Sequence, residues 1–260
     1  MTRLLHLSDL HFGRARAELT RPLLAKIAEL VPDLVVVSGD FTQRARIRQF
    51  QAARAFLDRI EAPVLSVPGN HDTPLDNLWV RLVRPWSRYR KHIAQELEPV
   101  WRDPDVTVVG INSVNHYDWQ RGRVKSSARA RLARLSEEPG LTVAVLHHPL
   151  EHPPGVDKTP PRGARKALDT LGRAGADIVL SGHLHTARAA PFEAAPGVLF
   201  VQAGTGLSTR VRGEPNTFNL LDIHEERTTI DRYAARTDPA FDRIATESFR
   251  REGHTWVQST

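Results

Sequence analysis

Seven side chains able to hold metal ions stand at the ends of five short apolar runs: Asp9, His11, Asp40, Asn70, His147, His183 and His185. Arg3–Ser8 runs into Asp9-Leu10-His11, and Asp33–Ser38 into Gly39-Asp40. Val64–Pro68 runs into Gly69-Asn70-His71-Asp72, Thr142–Leu146 into His147-His148, and Asp177–Ser181 into Gly182-His183-Leu184-His185. Four imidazoles and three oxygen donors, in a chain without cysteine, suit Mn, Fe or Zn better than Ca or Mg. Asp9 and His11 sit two apart, so an extended segment would turn both to one side and let one cation take both. His183 and His185 share that spacing. Asp40 has two oxygens and suits a bridge between two cations, while Asn70 offers an uncharged carbonyl that moderates the negative charge. Taken singly, each block has an ordinary reading. Gly39-Asp40 and Gly69-Asn70 are common turns, and His147-His148 reads as buried histidine beside a loop. Five blocks of matching donors, all at strand ends, point to one shared metal site.

The elements that must position these donors follow from the pattern around them. Short β-branched runs bounded by Gly or Pro read as buried strands. In open α/β sheets, ligands gather at the carboxyl ends of the strands. Between the runs lie apolar stripes at helical spacing: Leu19, Leu23, Ile27 and Leu30; Ile47, Phe50, Ala53, Leu57 and Ile60; Ala128, Leu132 and Leu135; Ala164, Leu168 and Leu171. Thr20 ahead of Pro22 marks the first helix start, and Ser126 or Ser127 caps the third. Alternation of strand and helix implies parallel pairing. Val106–Ile111 is a further strand, leading to Asn112-Ser113 without a strong ligand. Val198–Gln202, Phe218–Ile223 and Thr228–Tyr233 are separated by short turns, which predicts antiparallel pairing there. The expectation is two packed sheets flanked by helices. Residues 149–162 carry five prolines and exclude a regular helix. Residues 236–260 lack clear periodicity and read as a C-terminal tail after a domain over 1–235, docked through Phe241, Phe249 or Trp256.

A chain of 260 residues fits one large α/β domain or two small ones. It contains no apolar stretch long enough for a membrane span. Arg3–Leu7 is needed as a strand and Asp9 as a ligand, so no secretory leader is expected, and a cytoplasmic home is the simplest reading. Absent cysteine excludes disulfides and thiolate metal sites. The net charge of +6 is mostly arginine interleaved with acids. A solvated surface accounts for it better than a nucleic-acid face, although excess positive charge does favour anionic substrates.

Asp9-x-His11, Gly39-Asp40, Gly69-Asn70-His71-Asp72, His147 and Gly182-His183-x-His185, in that order, resemble the calcineurin-like metallophosphoesterases. Leu7-Ser8-Asp9-Leu10-His11 and Val67-Pro68-Gly69-Asn70-His71-Asp72 are most similar to the bacterial branch that includes class III cyclic nucleotide phosphodiesterases. The resemblance covers about residues 3–233. It implies a four-layer α/β/β/α sandwich and a centre of two metal ions. Asp9, His11 and His185 would hold the first ion, Asn70, His147 and His183 the second, and Asp40 would bridge them. His147 is preferred to His148 because the family's ligand follows its strand directly. His71 matches the family's non-ligand histidine, and Asp72 would either orient it or only stabilise the turn. The implied reaction is in-line attack of a metal-bridging hydroxide on phosphorus, with His71 protonating the leaving oxygen or donating a hydrogen bond to the phosphoryl group.

The expected substrate is a small phosphodiester, with cyclic nucleotides among the candidates. Phe41 and Ile111-Asn112-Ser113 depart from the cyclic nucleotide branch, so the general diesterase is the main expectation. The alternative is the same fold and centre acting as a nuclease, a lipid-precursor pyrophosphatase or a phosphomonoesterase. A lipid-linked enzyme should expose an apolar patch near its site. Residues 74–104 read as a cap or insert. Within them, Trp79–His92 mixes Arg81, Arg84, Arg88, Arg90 and Lys91 with aromatics. An amphipathic surface or homodimer-contact helix is preferred there over substrate contact. His116, Tyr117 and Trp119 fall on a loop near the predicted crevice.

Overall fold

The computed structural model describes residues 1–153, 155–236 and 239–259. Pro154, in the proline-rich stretch, and residues 237, 238 and 260, in the expected tail, lie outside the described residues. The first half runs β1 (Thr2–Leu7), α1 (Ala17–Leu30), β2 (Leu34–Val37), α2 (Ile47–Leu57), β3 (Val64–Ser66), α3 (Leu78–Val83), α4 (Ser87–His92), β4 (Val100–Arg102) and β5 (Val106–Gly110). The second runs α5 (Ser126–Ala133), β6 (Leu141–Val145), α6 (Ala164–Ala174), β7 (Ile178–Ser181), β8 (Arg188–Pro191), β9 (Leu199–Gln202), β10 (Thr217–Ile223), β11 (Arg227–Ala235), β12 (Phe241–Glu252) and β13 (Thr255–Ser259).

Strand periodicity explains the layering. Successive residues of a strand point to opposite faces, so a doubly buried strand feeds two cores. Leu5, Val35 and Val37 pack with Leu19, Leu23, Ile27, Phe50 and Phe56 of α1 and α2. Their neighbours Leu4, Leu34 and Val36 meet Val143, Val145, Ile178, Leu180 and Val201 between the sheets. Ala144, Val179 and Phe200 face Leu132, Leu168 and Leu171 of α5 and α6. Three cores between four layers give the expected α/β/β/α sandwich.

One sheet has seven strands in the order β13-β12-β11-β10-β1-β2-β3, and the other six in the order β4-β5-β6-β7-β9-β8. β1, β2 and β3 are mutually parallel, as are β5, β6, β7 and β9. The donor-bearing strand ends therefore share one edge of each sheet.

Three expectations need correction. Val198–Gln202 does not join the antiparallel set. β9 pairs in parallel with β7 and antiparallel with β8, because the turn before it folds β8 back along the same sheet. The helix start at Thr20 and Pro22 is too late. α1 begins at Ala17 and encloses Pro22, since Leu19 belongs to its buried face. Finally, residues 241–259 are not a tail. β12 pairs with the whole of β11 through Phe241–Arg250, and β13 closes the edge. Phe241, Phe249 and Trp256 are the buried anchors, and Trp256 Nε1 donates to the Asp177 carbonyl of the other sheet at 3.1 Å. That pattern holds few large apolar residues because most of the other side chains face solvent.

Candidate metal centre

All seven proposed donors are buried and lie together beyond the strand ends. Glycines permit the close approach. A Cβ on Gly69 would lie 2.1 Å from Asp40 Oδ1, and one on Gly182 would lie 2.5 Å from Asp9 Oδ2. The loops are also cross-bonded: His11 N donates to Asp40 O (2.9 Å), His71 N to Asp40 Oδ1 (2.8 Å) and His183 N to Asp9 Oδ2 (2.9 Å).

The donors fall into two groups that share Asp40. On one side, His185 Nε2 and His11 Nε2 lie 3.1 and 3.5 Å from Asp9 Oδ1 and 3.2 Å from each other. On the other, His147 Nε2 and His183 Nδ1 each lie 3.1 Å from Asn70 Oδ1. Asp40 Oδ2 stands between them, 3.7 Å from His11 Nε2 and 3.4 Å from His147 Nε2. His183 and His185 thus serve different groups, not one cation as their spacing alone suggested. The i, i+2 argument assumed extended backbone. Instead Asp9, His11, His183 and His185 all adopt positive φ, between 48° and 73°.

The donor set fits cations. His147 Nδ1 donates to Ser38 O at 2.8 Å and His185 Nδ1 to Arg210 O at 2.7 Å. When neutral, each ring would therefore turn the lone pair of Nε2 inward, against the oxygen lone pairs of Asn70 and Asp9. Asp9 Oδ1 is buried with no hydrogen-bond partner. Converging lone pairs of this kind are costly unless a cation lies among them. The charges agree. Burial pushes Asp9 and Asp40 upward, but the surrounding imidazoles outweigh it and hold both well below the usual carboxylate range. Burial lowers His147, yet Asp40 and Asp9 raise it to about 9. The carboxylates draw positive charge onto the rings where a metal would otherwise supply it.

His148, His147 and His183 also bring ring nitrogens within 4.8 Å of one another. Both nitrogens of His148 are engaged elsewhere, Nδ1 with Ser113 Oγ at 2.9 Å and Nε2 with Gln120 O at 3.1 Å. His71 stands at the edge of the centre, its ring 4.9 Å from that of His11. Its Nδ1 bonds Gln43 O at 2.8 Å, and its Nε2 faces Arg210 Nη1 at 3.2 Å. Asp72 does not orient the His71 ring. It accepts from the backbone of Gly69, Phe41 and Thr42 and from Thr42 Oγ1, which ties the Asn70 turn to the Asp40 loop.

Two cationic residues escaped the sequence reading. Lys158 Nζ lies 3.2 Å from His183 Nε2, and Arg210 meets His71 and His185 as above. Both come from irregular loops, where no periodicity marks a residue as facing the site. The loop after β5 does reach the centre, since Asn70 Nδ2 donates to Trp119 O at 3.3 Å.

Comparison with known proteins agrees with this geometry. A glycerophosphodiester phosphodiesterase of Enterobacter lignolyticus is 28% identical over 160 residues, 56% of this chain and 56% of its own length. The match thus spans little more than half of that relative. A probable cyclic nucleotide phosphodiesterase of Synechococcus sp. is 28% identical over 206 residues, 75% of this chain and 68% of its own. The solved structure of a dimetal phosphatase from Danio rerio has the same fold, with a TM-score of 0.67 at 12% identity over 95% of this chain and 98% of that one. The family model for calcineurin-like phosphoesterases matches residues 2–187, which contain all seven donors. The chain belongs to the calcineurin-like phosphoesterase family.

Proposed function

We propose that the protein is a phosphodiesterase of small phosphodiesters that works with two divalent metal ions, Mn, Fe or Zn. The observation that carries this reading is the shared position of Asp40 Oδ2 between two complete donor groups. Asp9, His11 and His185 would hold one ion, Asn70, His147 and His183 the other, and Asp40 both. Bound there, the ions would supply Lewis acidity and an activated water. The names of the Enterobacter and Synechococcus relatives, both phosphodiesterases, support a diester over a monoester.

The chain's own residues supply the rest. His71 has Nδ1 committed to the Gln43 carbonyl, so Nε2 is the atom that faces the site, and it passes a proton to the leaving oxygen when the ring is the imidazolium. Arg210 reaches that same atom and presents a guanidinium to the phosphoryl oxygens. With Nδ1 as its ligand atom, His183 would carry its proton on Nε2, and Lys158 Nζ, 3.2 Å from that nitrogen, would turn its ammonium toward the substrate. Asp72 and the carbonyls of Ser38 and Arg210 fix the ligands in place.

The test is hydrolysis of bis(p-nitrophenyl) phosphate beside p-nitrophenyl phosphate, with chelator and with added manganese. The diester should be preferred, and chelation should remove both activities. A chelator-resistant or monoester-preferring enzyme would overturn the reading.

A further inference from the structure

The rim of the metal centre exposes six large apolar side chains: Leu78, Trp79, Leu82 and Val83 of α3, and Tyr117 and Trp119 of the loop after β5. Scattered exposed apolar residues need no explanation, but a contiguous set beside a site marks an interaction surface. One buried side chain joins the two segments. Arg81 of α3 donates Nη1 to Thr73 Oγ1 at 2.7 Å and Nη2 to the Asp118 carbonyl at 2.8 Å. The loop in turn holds Asn70 through the Trp119 carbonyl. The apolar face is therefore fixed to the turn that carries a candidate ligand.

The segment that carries this face is cationic. Residues 77–92 contain Arg81, Arg84, Arg88, Arg90 and Lys91 and no acid. Arg84, Arg90 and Lys91 are exposed, and among the described residues none of the three forms an ion pair. Exposed Arg44 lies 5.4 Å above the Trp119 ring. A two-fold pairing of this face with a second copy would set like charges against each other. An anionic bilayer satisfies both features. Tryptophan favours the headgroup level, leucine and valine the acyl boundary beneath it, and arginine and lysine the negative surface.

We propose that α3 and the loop 115–120 dock the protein on an anionic lipid surface, with the metal centre turned toward the headgroups. The contact is peripheral, since among the described residues no helix is long and apolar enough to cross a membrane. That the docked centre acts on phosphodiesters carried in that surface rests on the diesterase reading. The docking does not.

The experiment is co-sedimentation of the full chain with vesicles of phosphatidylglycerol and phosphatidylcholine, and with vesicles of phosphatidylcholine alone. Binding should require phosphatidylglycerol and weaken as salt rises. The combined variant Leu78→Ser, Trp79→Ser, Leu82→Ser, Val83→Ser should bind about tenfold more weakly or worse. Its turnover of soluble bis(p-nitrophenyl) phosphate should not change. Should that variant not fold, Arg84→Glu, Arg90→Glu, Lys91→Glu, all at exposed positions, should remove the preference for phosphatidylglycerol. Wild-type protein that stays in the supernatant with both vesicles overturns the docking. So does an apolar-face variant that splits a dimer and leaves vesicle binding intact, which would assign the face to a second copy. Vesicle binding without soluble turnover counts against the diesterase reading alone.

Discussion

The strand ends at the metal centre and the C-terminal ribbon β11–β13 are built on opposite terms. Among the described residues, seven non-glycine residues have positive φ, and five of them are Asp9, His11, Asp40, His183 and His185. Backbone held there costs on the order of 1–3 kcal/mol per residue. The same residues carry buried polar atoms aimed at one another, with Asp9 Oδ1 left without a partner. Among the described residues, the ribbon has no non-glycine residue at positive φ. Its ladder shifts register once, between Arg232 and Tyr233, and its anchors Phe241, Phe249 and Trp256 are buried with apolar neighbours. The ribbon and the cores supply stability, and the strand ends expend it to hold donors in unfavourable proximity.

The largest effect should come from Asp40→Ala, because only Asp40 serves both donor groups. Metal content by elemental analysis and diesterase turnover should disappear together. In the wild type, manganese at a hundredfold excess over its dissociation constant should stabilise the fold by about 2.7 kcal/mol. For a chain of this size that raises the melting temperature by roughly 5–10 °C. The variant should show no such shift. Metal retained at full stoichiometry in Asp40→Ala would break the claim that these donors share a cation pair. His71→Ala comes next. It should keep both ions and lose turnover by roughly 10²–10⁴-fold, the usual contribution of a positioned proton donor. Unchanged turnover would remove His71 from the reaction.

The ribbon should answer differently. Phe249→Ala opens a cavity between the sheets and should destabilise the protein by about 3–5 kcal/mol, read by urea denaturation. Metal per folded molecule and turnover per folded molecule should hold. If the ions are lost in step with stability, the two regions are one cooperative unit and the contrast fails.

The same contrast explains what the sequence disclosed. The proposed donors advertise themselves, because Gly39-Asp40, Gly69-Asn70 and Gly182-His183 place a small residue and a strong candidate ligand directly after a β-branched run. The strands β1, β2, β3, β6 and β7 that lead to these donors were legible for the same reason. β12 was not, since its text Phe241–Glu252 alternates few apolar residues among solvent-facing Arg, Glu and Thr. The parallel placement of β9 depends on which sheet a strand joins, and local pattern does not encode that choice. Lys158 and Arg210 act from loops whose paths are set by tertiary contacts alone. Asp72 was legible as a turn residue, but its partners on the Asp40 loop are 30 residues away and appear only in the fold.

The smallest effect tests the choice between two neighbouring histidines. β6 alternates its faces, with Val143 and Val145 toward the core between the sheets and Ala144 and Leu146 toward α5 and α6. Continued past the strand end, that alternation sends His147 to the centre and His148 to the outer side. There His148 is wedged between Ser113 and the loop 120–122, so tightly that a Cβ on Gly122 would lie 2.5 Å from its ring. Removing its ring takes the partner from the Gln120 carbonyl and leaves Ser113 Oγ only the backbone N–H of residue 148, at a cost of about 1–3 kcal/mol. His148→Ala should therefore lower stability while binding two ions per chain, whereas His147→Ala should lose the ion shared with Asn70 and His183. Elemental analysis of the two variants side by side decides the matter. The reverse pattern, with the ion lost from His148→Ala, would show that His148 takes the inward-facing role.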